Sequence, residues 1–469
     1  MRRERLWYAL ACTGAAALVA AWCWHMVLCL WYPYPLGYGE GVTAFWLQAP
    51  AWYPAPASGQ WLHNPYPPLG YVLASGLSWL GGHPFLALRV LSVLAALACA
   101  ALVVRYTWRR CGRWGALIAV ALVLGSPLWW HYGVYARVDA LGVALSLSTL
   151  LLITQARRPW HWVLAGLCAA AAVLVKPVFV AAACTLMWTA WRRGTWRLVF
   201  PALLGLPILA FVVGILFSAE GTAWWQHLVV LNRLDWQLGQ LVDLLATGLA
   251  RHALLAAVVV GFLAQQRRHD PWWLYAWLVV VVLILTGGKP GSDGNYLLEA
   301  MTLAVFVAVR VAQANPGLRP LLVSAALVQL AMFAPVSEQA VFTASYGQEV
   351  VGGGAALTPG ADDREVGTIL SKELASSPGP VLSDDLGYLL CAGHSPVFQP
   401  YQFGQLHRLD RWDDAPLVEQ VSNKHFSLVL VRRDDSYLTP SVLAAVQEHY
   451  VLRREVGPWL VYATEFSLR

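Results

Sequence analysis

Charge is what this chain has least of. Only 12% of its 469 residues are Asp, Glu, Lys or Arg and 58% are apolar, about half the charged share usual in a soluble domain. So few charges cannot solvate a surface on every side, which excludes an ordinary soluble protein and predicts a membrane one. Lysine is rarer still, since the first 335 residues contain Lys176, Lys289 and no other. Between Glu4 and Asp139 the sole carboxylate is Glu40, in YPLGYGEGVTAF (34–45). Seven of the eight cysteines lie before residue 336 and only Cys391 follows, so no disulfide can form within the C-terminal part. A Gly-rich nucleotide fingerprint is also missing, and no cofactor is predicted.

What is present is a series of apolar runs, each near the ~20 residues a helix needs to cross a bilayer. Eleven spans are expected, near 6–31, 84–104, 114–130, 139–154, 161–175, 177–191, 198–218, 245–265, 271–287, 297–314 and 320–335. The first is too long for a cleaved signal peptide, with no A-x-A-like site after it, and is read as a retained anchor. Arginines at 2, 3 and 5, at 105–113, 157–158, 192–197, 267–268 and 319 fall in alternate loops, which the positive-inside rule assigns to the cytoplasm. Basic pairs flanking 161–191 favour a hairpin there, with Lys176 at its outer tip.

The charge divides the chain. Residues 1–335 carry 22 Lys and Arg against 9 Asp and Glu, whereas 336–469 carry 10 against 17. The excess of base is therefore topogenic, and no nucleic-acid partner is expected. Two domains are predicted: a multi-span membrane domain over 1–335, with a first external loop at 32–83, and an external α/β domain over 336–469. In the latter, 381–385, 426–433 and 459–464 read as strands, and 363–376, 413–423 and 439–449 as helices.

This topology sorts the remaining charges. Glu40, Arg137, Asp139, Lys176, Glu220, Arg233, Asp235, Lys289, Asp293 and Glu299 fall on the outer face, with Asp243 and Arg251 near the boundary. Ionisable groups at membrane level are costly, and when kept they line cavities or pair; Arg137 with Asp139 is one such pair to expect. Lys176 in LVKP and Lys289 in GGKP present compact charges suited to phosphate. The turn GGKPGSDGNYLLEA (287–300) has the composition of an anion-binding nest, while Asp293 or Asn295 equally suits the cap of the next helix. Aromatic residues crowd the first loop and read mainly as an interfacial belt, and Pro67–Pro68 opens a short helix lying at the surface. Glu40, between Gly39 and Gly41, reads as a candidate general base or as an exposed loop glutamate.

Taken together, the acid just after the first span, YPPLGY (66–71), FLALRVLSVL (85–94), YARVDALGVAL (135–145), LVKP and NYLLE (295–299) resemble the membrane glycosyltransferases of the C fold. The likeness is to family 39 and its relatives, the protein O-mannosyltransferases and the bacterial aminoarabinose transferase acting on lipid A. It implies an α-helical polytopic membrane protein that moves a sugar from a polyprenyl-phosphate donor to a hydroxyl of a lipid, polysaccharide or protein acceptor. Transfer is then periplasmic and inverting, at a bacterial inner membrane. The resemblance makes Glu40 the expected base and Lys289, Lys176 and Arg137 the expected phosphate partners. Tyr38, His63, Tyr66, Asp139, Asp293, Asn295, Tyr296 and Glu299 are expected in the pocket. One departure stands out: relatives commonly carry Asp-Glu in the first loop, and here Gly39 occupies the Asp position. The outer loops lack an Asp-x-Asp signature, which counts against a required divalent ion without forbidding one. Two other classes fit parts of the pattern, a transporter or flippase of lipid-linked sugars and a non-catalytic membrane scaffold. The first should show an internal repeat and acids within spans, and neither is evident.

Overall fold

The computed structural model describes residues 2–55, 60–216, 222–265, 270–333 and 358–464. The eleven expected spans fall on helices: Arg2–Leu30, Leu86–Leu124, Asp139–Thr154, Pro159–Val175, Val180–Arg192, Trp196–Leu216, Leu238–Leu263, Pro271–Gly287, Leu298–Ala314 and Arg319–Phe333. Two of the expected spans share Leu86–Leu124, where Gly112 takes φ 72° and joins two helical segments at an angle. Only Cys12–Leu30, Leu86–Leu124, Gly294–Ala314 and Pro316–Phe333, among the described residues, are long and apolar enough to cross a membrane by themselves. Several of the remaining helices are equally apolar but shorter. Glu220 and the expected boundary at 335/336 lie outside the described residues, as do Arg267 and Arg268.

Helices of this composition pack through their small and aromatic residues and turn other apolar residues outward. One core runs through Trp22, Trp129, Trp162, Trp272 and Phe306, with fully buried alanines such as Ala121, Ala165 and Ala276 among them. Meanwhile Ile208, Leu209, Val260 and Leu285 remain more than half exposed. In water that belt would be a liability; in lipid it is the matching surface, and cohesion comes from packing rather than from a hydrophobic effect between helices.

Residues beyond 358 form a four-stranded mixed sheet of β1 (Val381–Ser383), β2 (Leu428–Arg432), β3 (Val451–Val456) and β4 (Trp459–Ala463), in the order β1-β2-β4-β3. β1 pairs parallel to β2, and the β2–β4 and β3–β4 pairs are antiparallel. Three strands and the helices Ala361–Ala375, Ala415–Ser422 and Pro440–His449 stand where the sequence places them. β3 and the helices Leu386–Cys391 and Pro400–Arg408 are additional. β3 is an exposed edge carrying Arg453, Arg454 and Glu455, so it lacks the apolar alternation that marks a strand from sequence.

This sheet unit is locked onto the first loop. Trp61 and Phe398 form a parallel bridge, with Trp61 N–H donating to Val397 O at 2.7 Å and Gln399 N–H to Trp61 O at 2.9 Å. Gly41, in the helix Tyr38–Gln48, lies so close to the helix Leu386–Cys391 that a Cβ there would stand 2.3 Å from Gly387 N. The surface helix predicted after Pro67–Pro68 forms at Leu69–Ser75 and is followed by exposed Trp79. The aromatics around it do not form the expected belt. Tyr32, Trp46, Tyr53, Tyr66 and Tyr71 are buried, because their polar tips staple the loop: Trp46 Nε1 to His63 O, Tyr53 Oη to Tyr66 O, Tyr71 Oη to Asn64 Oδ1. Trp31, largely exposed, still fits the belt.

Candidate active site

Between the helical unit and the sheet unit lies a cavity of about 820 Å³. The helix Pro159–Val175 ends as Pro177 begins the next turn, which leaves Lys176 at the junction with its side chain on the cavity wall. The turn after Pro271–Gly287 carries Lys289, and the segment before Asp139–Thr154 carries Arg137. Three cations from three separate segments thus converge on one space, together with Tyr38, His63, Tyr66, Asp293 and Tyr296.

The cations are not equivalent. Lys176 Nζ donates to Asp139 Oδ1 at 2.7 Å and sits 4.5 Å from the centre of the Tyr296 ring. Burial is the largest single influence and works against the charged Lys176, yet the Asp139 carboxylate together with Tyr296 and Tyr66 outweighs it and holds the ammonium above its usual range. Arg137 lies 3.7 Å from Asp139 Oδ2 and donates from Nη2 to Tyr66 Oη at 2.6 Å. The Arg137–Asp139 pairing anticipated from sequence is therefore present, with Lys176 as a nearer partner. Lys289 has a weaker hold, a 3.3 Å bond to Asn232 Oδ1. Burial, and then the charge of Lys176, push its ammonium down to about 8. It is the cation that gains most from an arriving anion.

In the turn around Lys289, where the sequence suggests a nest, part of the backbone N–H set is already engaged. Lys289 N–H donates to Thr286 O and Ser292 N–H to Lys289 O, and Pro290 has no N–H to offer. The turn spends these amides on itself, with Gly291 at φ 85° closing it. Asp293 caps the following turn, accepting from Gly294 N at 2.6 Å, and also accepts from Tyr132 Oη at 2.8 Å. It combines the two roles considered for it, cap and cavity wall.

Four expected site residues lie elsewhere. Glu40 does not line the cavity and is fully buried. Its Oε1 accepts from Arg89 Nε at 3.0 Å and Ala136 N at 2.6 Å, and its Oε2 from Arg89 Nη2 at 2.6 Å and Leu36 N at 2.8 Å. A carboxylate offers about four lone-pair sites, and all four are taken. Glu40 is thus the counter-ion of a buried arginine, with no lone pair left over and no place on the cavity wall, which stands against the expectation of a base there. Gly39 lines the cavity instead, and a Cβ on it would stand 3.2 Å from Tyr135 Oη and 3.4 Å from Arg137. Asp139 and Asn295 form a layer behind the wall, Asn295 Nδ2 donating to Asp139 Oδ1 at 2.9 Å. Glu299 is buried in the helix Leu298–Ala314, bound to Ser146 and Tyr275, and does not reach the cavity. A helix-turn offset separates it from Asn295 and Tyr296, which sequence proximity alone does not reveal.

Sequence reasoning missed two groups. Arg89 was hidden within an apolar span, where a lone arginine is itself a signal of a buried partner. Gln399, Tyr401, Gln402 and Tyr437 line the cavity from the sheet unit, and nothing local in their sequence marks them.

The sequence profile of the family described as Dolichyl-phosphate-mannose-protein mannosyltransferase matches residues 65–217. No curated protein sequence matches the chain. Among solved structures it is similar to ArnT from Cupriavidus metallidurans, both in the apo state (TM-score 0.61, 13% identity) and bound to undecaprenyl phosphate (TM-score 0.62, 14% identity). In each case 96% of this chain and 97% of the other are covered. It is also similar to the oligosaccharyltransferase of Archaeoglobus fulgidus in its apo form, at TM-score 0.52 and 12% identity over 96% of this chain and 74% of that one. With its apolar helices and small C-terminal sheet, this chain has the C fold of the membrane glycosyltransferases.

Proposed function

We propose that the chain transfers a sugar from a polyprenyl-phosphate donor to an acceptor hydroxyl, on the periplasmic side of a bacterial inner membrane, with inversion at the anomeric carbon. The observation that carries this reading is the convergence of Lys176, Lys289 and Arg137 on one cavity beside a lipid-facing apolar surface. Support comes from the similar ArnT structure that holds undecaprenyl phosphate. Residues 1–335 then form the membrane domain and 336–469 the external one, with both contributing cavity wall.

In this mechanism Lys289 meets the donor phosphate, seconded by Lys176 and Arg137. The acceptor oxygen attacks the anomeric carbon, the bond from that carbon to the phosphate oxygen breaks, and the departing electron pair stays on phosphate beside these cations. The acceptor proton goes to a cavity carboxylate. Asp293 is our assignment for it, four residues along the chain from Lys289 and on the same wall, in place of Glu40. General-base catalysis is worth roughly 10²–10⁴-fold, and Asp293→Asn should lose that much transfer.

The test has two parts. Mass spectrometry of glycolipids and glycoproteins from a deletion strain identifies the missing sugar and its acceptor; an unchanged glycan profile counts against transferase activity. Binding of undecaprenyl phosphate to the purified protein in nanodiscs should weaken in Lys289→Met, and equal binding would remove Lys289 from the phosphate site.

A further inference from the structure

The wall supplied by the sheet unit is the part of the cavity that phosphate binding leaves unused. Tyr401 and Tyr437 come from that unit and Tyr38 from the helix Tyr38–Gln48, and their rings meet. Centroids are 5.0 Å apart for Tyr38 and Tyr437, 5.3 Å for Tyr401 and Tyr437, and 6.1 Å for Tyr38 and Tyr401. Tyr38 Oη accepts from Tyr401 N at 3.2 Å. Tyr401 also packs on the turn that holds Lys289, since a Cβ on Gly291 would stand 3.2 Å from the Tyr401 ring.

The cluster is held from behind. Asp384 is buried, and its carboxylate accepts from Arg432 N at 2.9 Å, Tyr437 N at 3.0 Å and Leu438 N at 3.2 Å. These bonds pin the loop that presents Tyr437. On the same wall, His63 N–H donates to Gln399 Oε1 at 2.9 Å. His63 Nε2 lies 2.8 Å from His227 O, and a carbonyl only accepts, so Nε2 carries the proton. Burial keeps the ring neutral by pushing its protonation down to about 3, which leaves Nδ1 as a lone pair. That atom is buried and has no hydrogen-bond partner within the protein. A buried acceptor without a donor costs free energy until a ligand supplies one.

We propose that this wall is the subsite of the transferred sugar ring: the tyrosines pack against its C–H face and one ring hydroxyl donates to His63 Nδ1, while its phosphate lies against Lys289. The assignment rests on the proposed transferase reading and names the part of the substrate that this wall recognises. Asp384 acts as a positioning residue, through Tyr437.

The experiment measures binding of full-length protein in nanodiscs to undecaprenyl phosphate and to the same lipid phosphate carrying mannose, arabinose or aminoarabinose. Wild type should prefer at least one sugar-bearing lipid over the bare one. Tyr437→Ala and His63→Phe should each lose about tenfold of that preference, the scale of one lost polar or stacking contact, with bare-lipid affinity unchanged. His63→Gln, which keeps an acceptor, should retain more of it, and Asp384→Asn should behave like Tyr437→Ala. Lys289→Met should lower all four affinities in parallel. No sugar preference in wild type, or an equal loss for bare and sugar-bearing lipid in the wall variants, overturns the subsite. A lost sugar preference in Tyr437→Ala together with unchanged bare-lipid binding in Lys289→Met would instead uphold the subsite and overturn the phosphate assignment.

Discussion

Two residues show how a charge acquires its meaning from its partner. Removing one member of a buried, hydrogen-bonded ion pair typically costs about 3–5 kcal/mol, because the other charge is left unpaired. Glu40→Gln should therefore lower the thermal unfolding midpoint sharply, and the double variant Glu40→Leu/Arg89→Met should be less unstable than either single change. A normally stable Glu40→Gln protein with transfer abolished would return Glu40 to catalysis. Lys289 behaves oppositely. Its ordinary value is 10.5, and burial together with the Lys176 charge holds it near 8. It is charged below that value, so undecaprenyl phosphate affinity should fall as pH rises through about 8. In Lys289→Arg the fall should vanish from the accessible range, since guanidinium stays protonated. Both lysines were legible in the sequence by their scarcity, but their inequality was not, because it depends on Asp139 standing 37 positions from Lys176.

At the scale of elements, the contact between Tyr38–Gln48 and Leu386–Cys391 joins the two units through facing glycines. Gly41→Ala places a methyl 2.3 Å from Gly387 N, a distance that backbone must move to relieve. We expect lower thermal stability and faster proteolysis between the units. Gly14→Ala, at a position with nothing within 4 Å, should be neutral or slightly stabilising in its helix. Equal behaviour of the two variants would show that the units do not depend on this contact. The long helices were legible because an apolar run of that length has few other uses. The helix Pro400–Arg408 was not, because its first turn is defined by Gln399 pairing with Trp61 and His63 from the distant first loop.

At the scale of the molecule, alternating arginine-rich loops assign sides to the whole chain. Reporter fusions after Arg192 and at Arg469 should report opposite sides of the membrane, the first cytoplasmic and the second external. Both on one side would overturn the eleven-span topology and the outward placement of Lys289. The cavity adds a second expectation, since its wall is shared between the units. A truncated chain ending near residue 335 should lose any preference for a sugar-bearing lipid even where it still inserts.

The sequence by itself determined the membrane class, the helical spans, three of the four strands and the scarce cations as the feature to follow. These are properties of composition and short-range periodicity, and local physics suffices to read them. Tertiary structure alone decided that Glu40 serves Arg89, that Glu299 sits away from the cavity, and that tyrosines from beyond residue 400 complete its wall. Each of those outcomes turns on partners brought together from distant parts of the chain, where the direction of a side chain and the saturation of its hydrogen bonds are set by packing that no local pattern encodes.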